Sequence, residues 1–191
     1  MKKKIIFAEN LNSMRINLFF YGLLISLFIS CSDKKEPEAK REVEVFSNTF
    51  NVIVDATVKK DDKLMLYFQD ETIGWFDDEH FVEQSVVGKG GDQKIVFSVP
   101  EGVIPTNIRL DISSVQGQEP IVIKNIILKY RDRNFVIDQA NFANYFEPND
   151  YIDFDYVSNT AKVLSKADKT YDPILLPKEI MAREIANLTK K

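Results

Sequence analysis

Cysteine is nearly absent from this chain: Cys31 is the only one in 191 residues. An intrachain disulfide and any cysteine-based metal site are thereby excluded. Histidine is as scarce, and His80 alone cannot build a multi-histidine metal centre. No G-x-S-x-G segment exists to give a serine triad its setting. Clustered basic residues are missing too, with 25 Lys and Arg against 29 Asp and Glu. Nucleic acid needs a positive footprint, so it is excluded as a partner, and anionic lipid is disfavoured for the same reason. Glycine-rich phosphate loops are absent, because Gly88-Lys-Gly-Gly91 lacks both the pattern and the strand-to-helix setting and reads as a turn. No internal repeat is visible. Long apolar runs are lacking as well. The best, Leu18 to Ile29, would span roughly 18 Å as a helix against a hydrocarbon core of about 30 Å.

That short run fits the apolar region of a signal peptide better than a membrane span. It ends in Phe28-Ile29-Ser30-Cys31, which resembles the bacterial lipobox, in which a small residue precedes a cysteine that is acylated and becomes the mature N-terminus. The resemblance implies lipidation of Cys31, and so a membrane as partner through that lipid. Lys2, Lys3 and Lys4 lie far upstream of the run, whereas Met14-Arg15 sits just before it and makes the more conventional basic flank. Translation is therefore expected to begin at Met14. Ser32-Asp-Lys-Lys-Glu36 resembles the export signal that Bacteroidetes place behind lipidated cysteines destined for the outer surface. It implies an outer-membrane lipoprotein on the cell surface or the periplasmic face. Without residues 1 to 30, the chain loses Lys2, Lys3, Lys4, Arg15 and Glu9 and keeps 21 basic and 28 acidic side chains.

The expected organisation is a signal peptide over 1–30 and a charged tether over 31–44. A β-sandwich domain over 45–176 and an amphipathic C-terminal helix over 177–191 complete it. The tether has no apolar periodicity. Phe50, Val52, Val54, Ala56 and Val58 then alternate with Asn51, Ile53, Asp55 and Thr57, a half-buried strand. Strands are also predicted over 63–68, 93–99, 107–112, 121–130, 134–137, 151–156 and 161–164. Asp70 to Glu83, acidic and aromatic, reads as a loop with room for one helical turn. Asp138 is placed to cap a short helix through Tyr145, though 139–149 reads equally well as loop. Pro177 sits where a helix would start, and Ile180, Met181, Ile185 and Leu188 make an apolar stripe. Many short strands, frequent turn signals and 14 Phe with 7 Tyr argue an all-β antiparallel sandwich with short helices.

Leu64 to Phe68, Gln93 to Phe97, Ile108-Arg-Leu-Asp111 and Ile121 to Tyr130 together resemble the jelly-roll sandwich of galactose-binding-like and carbohydrate-binding modules. The resemblance implies two packed antiparallel sheets with ligand held by end loops or a concave sheet face. It assigns no residue a role.

Several residues have chemistry worth following. Trp75 beside Asp77 and Asp78 suits a sugar, which stacks on an aromatic face while carboxylates accept its hydroxyls; alternatively, Trp75 and Phe76 plug the loop into the core. Arg109 and Asp111 share one strand face and either grip a polar ligand or pair with neighbours. Asp153 and Asp155 repeat that spacing beside Tyr151 and Tyr156, as the acid and base of a glycosidase would, or as the wet face of any strand. Calcium is the one metal with suitable oxygen ligands, around Asp70, Glu71, Asp77 and Asp78, although no EF-hand spacing is present. Otherwise no cofactor is expected. Three functions follow: a non-catalytic glycan-binding module, an accessory lipoprotein binding an envelope protein through a sheet edge or the C-terminal helix, and a glycan hydrolase. No catalytic constellation supports the third, so the expectation is a protein that is not an enzyme.

Overall fold

The computed structural model describes residues 48–166 and 170–190. The expected signal peptide, Cys31, the tether and the alternative start at Met14 lie outside the described residues.

Among the described residues the fold is mostly β, with eleven strands in two antiparallel sheets. The strands are β1 Phe50–Thr57, β2 Asp62–Gln69, β3 Phe81–Val86, β4 Gln93–Ser98, β5 Asn107–Asp111, β6 Ile121–Tyr130, β7 Arg133–Asp138, β8 Phe146–Pro148, β9 Ile152–Asp155, β10 Thr160–Val163 and β11 Ile174–Pro177. One sheet runs β4-β1-β6-β10-β9, with β7 also paired to β6; the other runs β3-β2-β5-β11-β8. Alternation dictates which side chains meet between them. Val52, Val54 and Ala56 of β1 and Leu64, Leu66 and Phe68 of β2 are each no more than 3 % exposed. They belong to one hydrophobic core shared by both sheets, a sandwich-like arrangement.

Strand β6 departs from simple alternation. Ile121 and Ile123 point inward, and so do Ile126, Leu128 and Tyr130, a change of phase between positions 123 and 126. A bulge makes this possible: Asp55 pairs with Asn125 and Ala56 with Ile123, leaving Lys124 without an opposite residue. The other edge of β6 changes partner at the same place, pairing with β7 along Asn125 to Tyr130 and with β10 at Ile121 and Val122.

Three strands lie where no strand signal is present in the sequence. β3 occupies the end of the stretch read as loop, which shortens that loop to residues 70–80. It is an edge strand with Glu83 and Ser85 exposed, so its apolar alternation is incomplete. β8 and β11 are short and each ends in a proline, Pro148 and Pro177. The helix through Tyr145 is a four-residue α1, Phe142–Tyr145; Asp138 accepts from the amides of Ala140 and Asn141 in the turn before it.

The C-terminal helix α2, Glu179–Thr189, packs against β5, β6, β7 and α1. Met181 and Ile185 are fully buried and Leu188 is 6 % exposed, all within the common core. The stripe that an accessory protein would offer to a partner is thus covered by the protein's own sheets. Arg133 of β7 holds the helix end by donating to the carbonyls of Asn187, Leu188 and Lys190, satisfying acceptors a helix C-terminus leaves open.

Candidate functional site

The outer face of the five-stranded sheet carries an aromatic row that begins in strand register. In β2 the buried Leu64, Leu66 and Phe68 turn Met65, Tyr67 and Gln69 outward. Tyr67 stands opposite Phe81 of β3 on one side and Arg109 of β5 on the other. The Tyr67 and Phe81 rings lie 5.4 Å apart, and the Arg109 guanidinium carbon sits 4.0 Å above the Tyr67 centroid. That guanidinium is also 5.8 Å from the Phe76 ring, and Trp75 meets Phe76 edge to face at 5.6 Å. Phe81, Tyr67, Arg109, Phe76 and Trp75 therefore form one continuous series of ring and cation–π contacts.

Trp75 and Phe76 do not plug the loop into the common core: Phe76, at 8 % exposure, is buried on the outer face beside Arg109, and Trp75 faces solvent, at 69 %. Phe81, at 39 %, is exposed at the far end of the row.

Local capping holds the loop that presents Trp75. Asp70 accepts from the amide and hydroxyl of Thr72 at 2.7 and 2.6 Å. Asp77 accepts from the amides of Glu79 and His80, both at 2.9 Å, and contacts His80 Nδ1 at 2.8 Å. Short side chains accepting from amides a few residues ahead are the usual means of fixing a turn. The His80 bond holds the Asp77 carboxyl below the ordinary carboxylate range, and the same bond raises the imidazole. The His80 ring meets Phe68 edge-on at 5.7 Å, and its carbonyl accepts from the Phe68 amide. Thr106 braces the other side, donating to the carbonyls of Gln69 and Asp70.

Arg109 and Asp111 find each other. Nε and Nη2 donate to the two carboxylate oxygens at 2.9 and 2.8 Å, a bidentate pair along one strand. Asp111 is only 3 % exposed, and burial pushes its carboxyl up against the pull of Arg109. Burial raises the Tyr67 hydroxyl as well, followed by the charge of Asp111; Asp78 and Asp172 add to it.

The structure does not bring the remaining candidates into a site. Asp153 and Asp155 are both exposed on β9. Asp155 accepts from the Val157 amide and the Ser158 hydroxyl, which lowers its carboxyl, while Asp153 stands opposite Lys162. They close a turn and pair across a ladder. Asp70, Glu71, Asp77 and Asp78 do not converge either: among the described residues no three of His, Cys, Asp or Glu are grouped to hold a metal ion. Gly88 turns out to matter for closeness. A Cβ there would lie 2.5 Å from the Lys60 backbone.

Sequence reasoning passed over Tyr67 and Phe81, although the alternation within Lys63 to Phe68 already put Tyr67 outward. It also left Asp62 outside the strand predicted over 63–68. Asp62 is 5 % exposed and accepts hydrogen bonds from the amides of Lys63, Ser114 and Val115, the hydroxyls of Ser113 and Ser114, and the Gln118 amide. It fastens the loop after β5 to the start of β2. No helix among the described residues is long and apolar enough to cross a membrane.

Compared with protein-family models, with curated proteins and with solved structures, the chain matches none.

Proposed function

We propose that this chain is a non-catalytic binding module for glycan, carried at the outer membrane on a lipid attached to Cys31. The observation that carries the reading is Trp75. A large aromatic side chain left 69 % exposed, on a loop capped at Asp70 and Asp77, has the form of a sugar-stacking platform held ready for its ligand. Tyr67, Phe81 and Arg109 extend it along the sheet face. Asp78, beside the platform, supplies an acceptor for sugar hydroxyls. A jelly-roll arrangement is consistent with the way the chain alternates between sheets, with β1, β4 and β6 in one and β2, β3 and β5 in the other.

The accessory reading loses its best surface, because the α2 stripe is part of the core. A protein partner would have to use a strand edge instead.

The reading is tested by presenting the 191-residue chain to a glycan array beside a Trp75→Ala variant. Binding that disappears in the variant supports it. A folded protein that binds no glycan overturns it and returns weight to an envelope-protein partner. The anchor is tested apart from the ligand: a Cys31→Ala variant should leave the detergent phase for the aqueous phase on expression in an exporting bacterium.

A further inference from the structure

We propose that this face selects an uncharged glycan and rejects the carboxylated counterpart. The inference rests on the glycan-binding reading above and specifies the ligand class for the same site.

An arginine at the centre of a binding face ordinarily suggests an anionic ligand, because its planar fork matches a carboxylate. Here the fork is occupied. Nε and Nη2 are committed to Asp111, and one face of the guanidinium lies on Tyr67. Asp111 cannot exchange its partner for a ligand, since it is buried and release would leave its charge without compensation. The Arg109 side chain is 17 % exposed, and among the described residues its side-chain hydrogen bonds are the two to Asp111, which leaves Nη1 and the second N–H of Nη2. The three remaining N–H groups belong to a pair whose charge Asp111 already balances, so they offer a sugar hydroxyl its hydrogen bonds while the pull on a second carboxylate is weakened.

The surrounding charges point the same way. Glu83 is paired with Lys63 at 2.7 Å, and Asp77 with His80. Asp78 follows Phe76, which lies beside Arg109, by two residues. Asp172 precedes Ile174 by two, and Ile174 stands opposite Asp111. Asp78 and Asp172 both act on Tyr67, and Asp172 also acts on the Arg109–Asp111 pair, whose single positive charge is already matched by Asp111. The face therefore carries uncompensated negative charge around an aromatic platform. A neutral pyranose chain meets a stacking surface and hydroxyl partners, whereas a uronate chain meets the same surface across a repulsive field.

The test titrates the 191-residue chain with neutral oligomers of glucose, mannose and galactose beside the corresponding uronate oligomers, at low and high salt. At low ionic strength, the uronate partner of whichever neutral oligomer binds should be weaker by about fivefold or more, and the gap should narrow as salt screens the field. An Asp172→Asn variant should narrow it at low salt. Equal or tighter uronate binding overturns the inference and leaves the glycan reading standing. So does a gap that neither salt nor Asp172→Asn alters, since discrimination would then be steric. A folded protein that binds no sugar of either kind overturns the glycan reading, and this inference with it.

Discussion

The guanidinium carbon of Arg109 sits over the ring of Tyr67, 4.0 Å from its centre, and the two residues stand directly opposite each other in the β2–β5 ladder. Strand register therefore assembles the cation–π pair, and the pair in turn positions Arg109 to hold Asp111. Replacing Arg109 with alanine leaves a buried carboxylate alone. Complete loss of a buried partner costs about 3–5 kcal/mol, and partial exposure of Arg109 reduces this to about 2–3 kcal/mol in chemical denaturation. Burial raises Asp111 above its ordinary value of 3.8. A carboxyl raised in the folded state binds its proton more tightly there, so its ionisation removes stability as pH rises through the raised value. The Arg109→Ala deficit should accordingly shrink below that value.

His80 gives a pH dependence of the same sign in a higher pH range. Its raised value means that the contribution of its pair with Asp77 is present below the ordinary histidine value of 6.5 and lost as pH rises through the raised one. Asp77, lowered, adds its share above 3.8 and loses it on acidification. The loop should be firmest between those limits. As the only histidine in the chain, His80 gives an unambiguous imidazole resonance; its titration should sit above 6.5 and fall in an Asp77→Asn variant.

Asp62 should be more sensitive than its place in a run of polar residues suggests. Asparagine has one acceptor oxygen where Asp62 uses two, so some of its donors lose their partner. Asp62→Asn should cost about 2–3 kcal/mol in a denaturation midpoint comparison. Asp61→Asn, at an exposed neighbour whose carboxylate accepts from the Gly88 amide, should cost under about 1 kcal/mol.

Within the glycine turn the positions should separate. Gly88→Ala forces backbone apart at Lys60 and should cost about 1–3 kcal/mol, while Gly90→Ala and Gly91→Ala, which meet nothing within 4 Å, should be near neutral in thermal melts.

The sequence disclosed most where one face of a strand is dry. Phe50 to Val58 and Ile108 to Ile112 alternate cleanly because each has a core on one side only. Ile121 to Tyr130 was legible as a strand, but the Lys124 bulge was not, since two isoleucines three apart fit either a phase change or a helix. β3 was hidden because an edge strand needs little apolar alternation, and β8 and β11 because proline argues against the strand interiors it here terminates. Of the candidate face, Trp75, Asp78, Arg109 and Asp111 were visible as residue types. Their relation was not: Arg109 and Asp111 satisfy each other, and Tyr67 and Phe81 join Trp75 only through cross-strand register and the packing of Phe76.

The most direct test reads Trp75 itself, the only tryptophan in the chain and exposed to solvent. Its emission is followed while neutral oligosaccharide is added, with acrylamide quenching before and after. A sugar stacked on the indole should give a saturable blue shift and reduced quenching, with the same midpoint as binding measured by calorimetry. Calorimetric binding with unchanged emission and quenching would contradict the account, because the ligand would then sit elsewhere on the protein.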